Sequence, residues 1–535
     1  MRQVSRPNVL LFITDQHRAD HLGCYGNPIV KTPHIDALAA AGTRAERFFA
    51  ASTTCMSNRA TLMTGRLPSL HGVVHNGINL SLDHTTFMEL LRDAGYATAL
   101  IGKSHPQCFG YDHPDKRGWQ PADGRDAPAR ELQDAIKRPR SGEGYRNEWT
   151  PDWKAGLRQR VDTPYYGFDH VELCTLHGDQ VQGDYARWLA ERHPDPASLR
   201  GRDNALPADG YSAPQAWRTR LPETLYPSSY IGERACAWLE SVGGGGREPF
   251  FLMCSFPDPH HPFTPPGRFW NMYDPQAIPL PPSFHARQHS SLVQGVLEYG
   301  RNGGSREGYT AFPVSAKECR EIIALTYGMI SLVDEQIGRI MATLDRLGLR
   351  EDTIVIFTSD HGDMMGDHGV MLKGPMHYQG IVRVPFIWSD PALPEARRGA
   401  AFDGPAGTLD IAETVLDRVG IAAYNGMQGL SLLNALYRGA PLPRPGVLVE
   451  NEPVMFQFGR PRRFRLRTLL TGQWRITHSN DPALCELYDL DDDPLEERNL
   501  WDDPAAAAKR AELADQLLAS MIDHADSSPL PAGVA

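Results

Sequence analysis

Short polar clusters follow apolar runs at several points of the chain, and their side chains are of the types that bind metal ions and move protons. These clusters are Asp15-Gln16, Lys103 with His105, His260-His261 and Asp360-His361. Any one of them could be an ordinary polar turn after a strand. The preceding apolar runs are typical of buried parallel strands, whose carboxyl ends meet at one edge of a sheet. The sequence therefore predicts that the clusters form one site.

Part of this set suits a divalent cation. Asp15, Gln16 and Asp360 offer the carboxylate and amide oxygens that Ca²⁺ and Mg²⁺ prefer. The imidazole of His361 shifts the preference towards Mn²⁺ or Zn²⁺. Because the two pairs occur together with Cys55 and two lysines, we expect a metal site made from these four residues.

Cys55 and Arg59 lie at the start of a predicted helix. They are four residues apart, so their side chains share one helix face. A helix N-terminus and a guanidinium both favour an anion at that place. The alternative is a buried cysteine beside a solvated arginine, but it does not explain why residues 53–59 lack apolar partners.

Strands that alternate with helices predict an α/β fold with a mainly parallel central sheet. The strands are predicted at 9–14, 96–101, 250–256, 353–358 and 384–388, and the longest helix from Ser315 to Gly348. Beyond residue 440, strands near 447–450, 464–478 and 487–490 predict a small α+β subdomain with an antiparallel sheet. The predicted domains are therefore 1–440 and 441–535. Residues 107–225 have weak periodicity and are predicted to be an insertion of loops and short helices.

Longer motifs resemble those of one known family. Residues 55–65 have the pattern C-x-S-x-R-A-x-L-x-T-G, which resembles the cysteine signature of the sulfatases. Residues 95–105 have the pattern G-Y-x-T-x-x-I-G-K-x-H, which resembles that family's second signature. Residues 6–9, 32–38, 358–362 and 487–496 also match in order. The resemblance covers nearly the whole chain except 107–225.

The resemblance implies an alkaline phosphatase-like fold and hydrolysis of sulfuric esters. It also implies that a maturation enzyme converts Cys55 to formylglycine, whose hydrated aldehyde is the nucleophile. One divalent metal ion, Ca²⁺ or Mn²⁺, is implied as the cofactor. Its implied ligands are Asp15, Gln16, residue 55, Asp360 and His361.

Further roles follow from the same resemblance. Arg59 would orient the formylglycine, while Lys103 and His105 would contact its hydroxyls. His105 would be the base for sulfate release. Lys373 and His260 would bind the sulfate, and His260 would also protonate the leaving oxygen, a role that suits an imidazole near neutral pH.

The chain departs from the family pattern at a few positions. Ser57 replaces the usual proline of the cysteine signature, and Gln16 replaces the commoner second aspartate, which removes one negative charge. Gln16 with His361 also resembles the phosphonate monoester and phosphodiester hydrolases, which are the alternative function. That branch usually carries Tyr and Thr at the positions of Lys103 and His105, so this pair favours a sulfatase. A catalytically silent binding protein would be expected to have lost charged site residues.

Composition narrows the class of partner. The chain has 535 residues and a net charge of −11, which does not suit coating nucleic acid or an anionic membrane. The apolar run at 9–13 is too short for a secretory signal, so we expect a cytoplasmic protein. The eight cysteines form no CxxC pattern, which argues against a zinc knuckle or a disulfide framework. We expect a homo-oligomer that acts on a small-molecule or sugar sulfate ester.

Overall fold

A computed structural model of the chain describes residues 6–110, 140–208, 210–243, 248–453 and 464–527. Its strands are β1 Asn8–Thr14, β2 Thr43–Ala45, β3 Phe48–Phe49, β4 Ala97–Gly102, β5 His170–Thr175, β6 Gln182–Gly183, β7 Phe250–Ser255, β8 Phe312–Pro313, β9 Thr353–Ser359, β10 Val370–Met371, β11 Phe386–Ser389, β12 Ala400–Phe402, β13 Ala406–Gly407, β14 Gly446–Asn451, β15 Leu466–Thr471, β16 Trp474–Ser479 and β17 Glu486–Asp489. Its α-helices are α1 Pro33–Ala41, α2 Cys55–Thr64, α3 Pro68–His71, α4 Phe87–Asp93, α5 Thr150–Lys154, α6 Asp184–Arg192, α7 Pro227–Gly243, α8 Ser291–Arg301, α9 Ala316–Arg346, α10 Gln379–Val382, α11 Asp410–Val419, α12 Leu433–Arg438 and α13 Ala507–Asp523.

One large sheet carries the candidate site. Within the described residues it has nine strands in the order β12-β2-β11-β9-β1-β7-β4-β5-β6. The run β9-β1-β7-β4-β5 at its centre is parallel, and β11 joins antiparallel to β9. The predicted α/β fold with a mainly parallel sheet is confirmed.

Helices cover both faces of this sheet. Because side chains alternate along a strand, Leu10 and Phe12 of β1 pack into one core with α1, α7 and α9, whereas Val9 and Leu11 pack into another with α2, α4 and α11. A strand buried on both faces needs a continuous apolar run, which accounts for the sequence VLLFI at residues 9–13.

The long helix α9 begins with a capping box. The Ser315 hydroxyl accepts from the backbone N–H of Glu318 at 3.3 Å, and the Glu318 carboxylate accepts from the backbone N–H of Ser315 at 2.9 Å. This reciprocal pair satisfies two donors that the first turn would otherwise leave open. In the described ranges, no helix is long and apolar enough to cross a bilayer.

A second, small sheet lies near the C-terminus. Its strands β14-β15-β16-β17 are antiparallel neighbours in chain order, as predicted. Leu469 and Ile476 of this sheet share a core with Leu513 of α13, and with Ala51 and Leu67 from the larger part of the chain. The boundary at residue 440 stays a prediction.

The prediction of only loops and short helices for 107–225 was wrong at 170–175. Those residues form β5, which pairs in parallel with β4 inside the large sheet. Strand β5 has the sequence HVELCT, and its first three residues are only half-buried. It therefore lacks the continuous apolar run that marked the other strands. Residues 111–139 of this segment lie outside the described part of the chain.

Candidate active site

The loops after β1, β4, β7 and β9 bring the predicted clusters together at one edge of the sheet. The predicted site residues are all buried, and they are Asp15, Gln16, Cys55, Arg59, Lys103, His105, His260, Asp360, His361 and Lys373. The convergence follows from topology, because parallel strands have their carboxyl ends on the same side. Lys373 comes instead from the segment just after β10.

Four of these side chains form a group that could hold a metal ion. Asp15, Cys55, Asp360 and His361 each offer a ligand atom within 4.8 Å of the others. The Nδ1–H of His361 donates to the backbone oxygen of Gly362 at 2.9 Å, and its Nε2 lies 3.7 Å from Asp15 Oδ1 and 3.6 Å from Asp360 Oδ1. A ring held in this way presents Nε2 as the ligating nitrogen.

The charges of the group fit a cation. Burial acts against a charge on the His361 imidazole, yet the neighbouring Asp360 carboxylate raises its pKa, so a bound cation would have to displace the Nε2 proton. Burial also opposes ionisation of Asp15, but the Lys103 ammonium and other nearby cations hold the pKa of that carboxyl well below its usual range. Two carboxylates and an imidazole suit a divalent ion.

Gln16, the other predicted ligand, makes contacts of its own. Its side-chain oxygen accepts from Lys373 Nζ at 2.9 Å, and its amide nitrogen donates to Asp363. His261 Nδ1 lies 3.5 Å from the same amide nitrogen. The glutamine is therefore held in place between a cation and an acid, with its oxygen on the side of Lys373.

Arg59 binds both carboxylates of the group. Its Nε donates to Asp360 Oδ2 at 2.7 Å, and its Nη2 lies 3.5 Å from Asp15 Oδ2. Its Nη1 donates to Ser255 Oγ at 2.9 Å. The Arg59 side chain is 2% exposed, so the alternative of a solvated arginine is wrong. Its predicted contact with the formylglycine stays a prediction.

Cys55 begins α2 and lies among cationic groups. Its Sγ is 3.0 Å from His361 Nε2 and 3.2 Å from Lys373 Nζ. Burial and Asp15 would raise the pKa of the Cys55 thiol, but the Lys373 and Lys103 ammonium groups outweigh them and lower it. These neighbouring cations therefore stabilise a negative charge on the terminal atom of residue 55, which is Sγ in the cysteine.

Lys103 and His105 flank the group on the β4 side. The Lys103 ammonium contacts Asp15 and donates to His177 Nε2 at 2.8 Å. The His105 ring stacks on Phe109 with centroids 3.9 Å apart. Burial and the Lys103 charge hold the pKa of His105 well below its usual range, so its ring is neutral.

His260 follows β7 and is held by its neighbours. Its Nδ1–H donates to the backbone oxygen of His261 at 2.5 Å, and its ring stacks on His177 with centroids 3.6 Å apart. Its Nε2 is buried and has no hydrogen-bond partner among the described residues. That nitrogen is the atom available to a substrate.

Three further residues at the site were missed by the sequence analysis. His177 comes two residues after β5, so recognising that strand would have placed it at the same sheet edge. Glu148 accepts from the backbone N–H of His105 at 2.8 and 3.1 Å. The half-exposed ring of Tyr309 lies 5.5 Å from the His261 ring. No sequence pattern marks Glu148 or Tyr309, because neither lies in a periodic element.

Comparison with known proteins relates the chain to sulfatases and to other members of the alkaline phosphatase superfamily. Residues 7–421 match the family model "Sulfatase", and residues 366–523 match the model for the C-terminal part of N-sulphoglucosamine sulphohydrolase. An arylsulfatase from Clostridium perfringens is 29% identical over 436 residues, covering 80% of this chain and 78% of that protein. The multifunctional alkaline phosphatase superfamily protein PehA from Trinickia caryophylli is 28% identical over 547 residues, covering 98% and 96%.

The fold has a close counterpart among solved structures. The phosphonate monoester hydrolase of Agrobacterium radiobacter superposes with a TM-score of 0.74 at 26% identity, covering 97% of this chain and 96% of that one. The family model, by contrast, spans most of this chain and is that of the sulfatases. The chain belongs to the sulfatase family and is a sulfuric ester hydrolase of the alkaline phosphatase-like superfamily.

Proposed function

We propose that the chain cleaves sulfate monoesters through a formylglycine made from Cys55, with one divalent cation held by Asp15, Gln16, Asp360, His361 and residue 55. The observation that carries this proposal is the position of Cys55, whose Sγ lies among potential metal ligands and beside the Lys373 ammonium. When present, the formylglycine supplies a hydrated aldehyde as nucleophile. When bound, the cation supplies Lewis-acid polarisation at the reacting centre.

The chain's own residues would bind and orient the sulfate. Lys373 would bind its non-bridging oxygens, because a fixed positive charge in a buried site stabilises charge that develops there. His260 would act in its imidazolium form: its Nδ1–H is held by the His261 backbone oxygen, and its Nε2–H would be transferred to the leaving oxygen, which leaves the ring neutral. His105 would take a proton at the formylglycine hydroxyl, so that sulfate is released from carbon.

Ca²⁺ or Mn²⁺ is the proposed ion. Three oxygen donors, from Asp15, Gln16 and Asp360, suit either ion, and the His361 imidazole favours Mn²⁺. Metal analysis of protein dialysed against each ion would decide between them. A formylglycine-generating maturation enzyme is the proposed partner of the unmodified chain.

The proposed substrate carries an aryl or sugar ring on its leaving alcohol. The Tyr309 ring stands 6.0 Å from the His260 ring, close enough to contact an alcohol whose oxygen is bound by His260. Tyr309 is 47% exposed, so part of its ring can be covered by a ligand. Aromatic faces stack on flat aryl rings and on the apolar faces of sugars.

A second candidate function is hydrolysis of phosphonate monoesters or phosphodiesters. Gln16 and His361 favour it, as does the similarity to the phosphonate monoester hydrolase and to PehA. Lys103 and His105 favour the sulfatase, as argued from the sequence.

Mass spectrometry of the peptide that contains Cys55 tests the proposed nucleophile. The protein would be produced together with a formylglycine-generating enzyme, and we expect the peptide to have lost its sulfur in favour of an aldehyde. A Cys55→Ala variant made in the same way serves as the inactive control. A fully active preparation in which residue 55 retains its thiol would contradict the proposal.

A further inference from the structure

His177 lies between two residues to which the proposed function gives roles. Its Nε2 accepts from Lys103 Nζ at 2.8 Å, and its ring stacks on His260 with centroids 3.6 Å apart and planes 10° apart. The residue is buried, with 4% of its surface exposed. It stands in the turn after β5, directly before the short helical segment Gly178–Gln180.

The contact with Lys103 fixes the direction of an ammonium group. An ammonium has three N–H donors. Asp15 and the His177 nitrogen take two of them. With two directions set, the third N–H has one direction left, which is available to an oxygen of the bound ester or of the nucleophile. Without an acceptor at His177, the ammonium could rotate about its contact with Asp15.

The contact between His177 and His260 fixes the plane of the His260 ring. The Nδ1–H of His260 is held by the backbone oxygen of His261, which anchors one edge of the ring. The rings of His177 and His261 both stack on the His260 ring, with centroids 3.6 and 4.0 Å away, and restrict rotation about that anchor; the His177 ring is the more nearly parallel of the two. Together these contacts set where His260 Nε2 points, and that nitrogen has no hydrogen-bond partner in the described part of the chain.

We propose that His177 is a positioning residue that orients the Lys103 ammonium and the His260 imidazole at the same time. The inference rests on the proposed function, since it uses the roles given there to Lys103 and His260. It predicts that the two contacts of His177 serve different parts of the reaction. Lys103 acts at the nucleophile for every substrate, whereas His260 acts at the leaving oxygen and matters most when that oxygen is a poor leaving group.

Two substitutions of His177 each remove one of its two contacts and keep the other. His177→Gln places an amide oxygen near the position of Nε2 and so keeps an acceptor for Lys103, but it removes the ring that faces His260. His177→Phe keeps a ring against His260 but removes the acceptor. Gln180→Ala, an exposed position three residues further on, is the matched control and should leave the kinetics unchanged.

The measurement is kcat/KM for 4-nitrophenyl sulfate, which has a good leaving group, and for 4-methoxyphenyl sulfate, which has a poorer one. For His177→Gln we expect the ratio of the two values to rise about tenfold through a loss on the poorer substrate. For His177→Phe we expect a loss of about 10–10²-fold on both substrates, because a small displacement of a catalytic group is costly wherever it acts. Circular dichroism and metal content would be recorded for each variant.

Equal losses on both substrates in His177→Gln, or wild-type kinetics in both variants, would overturn the positioning role. If one variant fails to fold, the kcat/KM values of the other variant for the two sulfates decide whether His177 has the positioning role. A wild-type enzyme that hydrolyses neither sulfate would instead refute the proposed function, and the two failures are therefore distinguishable.

Discussion

The ammonium nitrogen of Lys373 lies 3.2 Å from the sulfur of Cys55, in the buried centre of the site. The same nitrogen donates to His361 Nε2 at 2.9 Å. Lys373 thus brings a positive charge to the place where the proposed nucleophile and the sulfate must meet. Lys373 does not lie at the end of one of the long parallel strands. It comes two residues after the short strand β10.

Replacing Lys373 by methionine should lower kcat/KM for an aryl sulfate by about 10²–10³-fold, the loss typical of removing one donor to a developing oxyanion. Lys373→Arg should recover part of the loss because it restores the charge. The exposed Lys31→Met is the control and should behave like wild type. Unchanged kinetics in Lys373→Met would exclude Lys373 from the sulfate site.

Asp360→Asn should weaken metal binding by more than the roughly 10–100-fold that changes outside the ligand shell produce. The substitution removes a charged ligand and also an acceptor of the Arg59 guanidinium. Metal content after dialysis and the affinity from titration calorimetry would measure the effect, with the exposed Asp93→Asn as control. Metal content equal to that of the wild type would contradict the assignment of the ligands.

His260→Ala should harm substrates with poor leaving groups most, because a general acid contributes roughly 10²–10⁴-fold where the departing oxygen needs a proton. The dependence of kcat/KM on leaving-group pKa, measured over a series of aryl and alkyl sulfates, should become steeper. An equal loss across the series would count against a role at the leaving oxygen.

Much of the site could be predicted from the sequence because it follows unbroken apolar strands. Asp360 and His361 come directly after β9, which is buried along its whole length. His177 was missed because β5 lies near the edge of the sheet and carries polar residues at two of its three half-buried positions. Sequence spacing also placed Arg59 on the face of Cys55, yet spacing alone does not show that its guanidinium binds Asp15 and Asp360.

The small sheet contains a buried arginine that is paired with two acids. Arg475 is fully buried, and it binds Glu486 at 2.7 Å and Glu496 at 2.5 Å. Its guanidinium carbon lies 4.4 Å from the centroid of the Tyr488 ring. Arg475→Leu would leave two acids buried without their partner.

We expect Arg475→Leu to lower the free energy of unfolding by about 3–5 kcal/mol, the usual cost of breaking a buried ion pair from one side. Chemical denaturation and the thermal midpoint would measure it. The exposed Arg498→Leu should change stability by less than about 0.5 kcal/mol. Equal stability of the two variants would show that the buried pair contributes nothing.

The site should hydrolyse sulfate esters more efficiently than the matched phosphonate esters. Lys103, Lys373 and Arg59 would suit either oxyanion, so the preference rests on Lys103 with His105, whose neutral ring can take the proton needed to release sulfate from carbon. The direct measurement is kcat/KM of the purified, matured enzyme for an aryl sulfate and for the matched aryl phosphonate monoester. We predict the higher value for the sulfate. A higher value for the phosphonate would contradict the account and favour the phosphonate hydrolase.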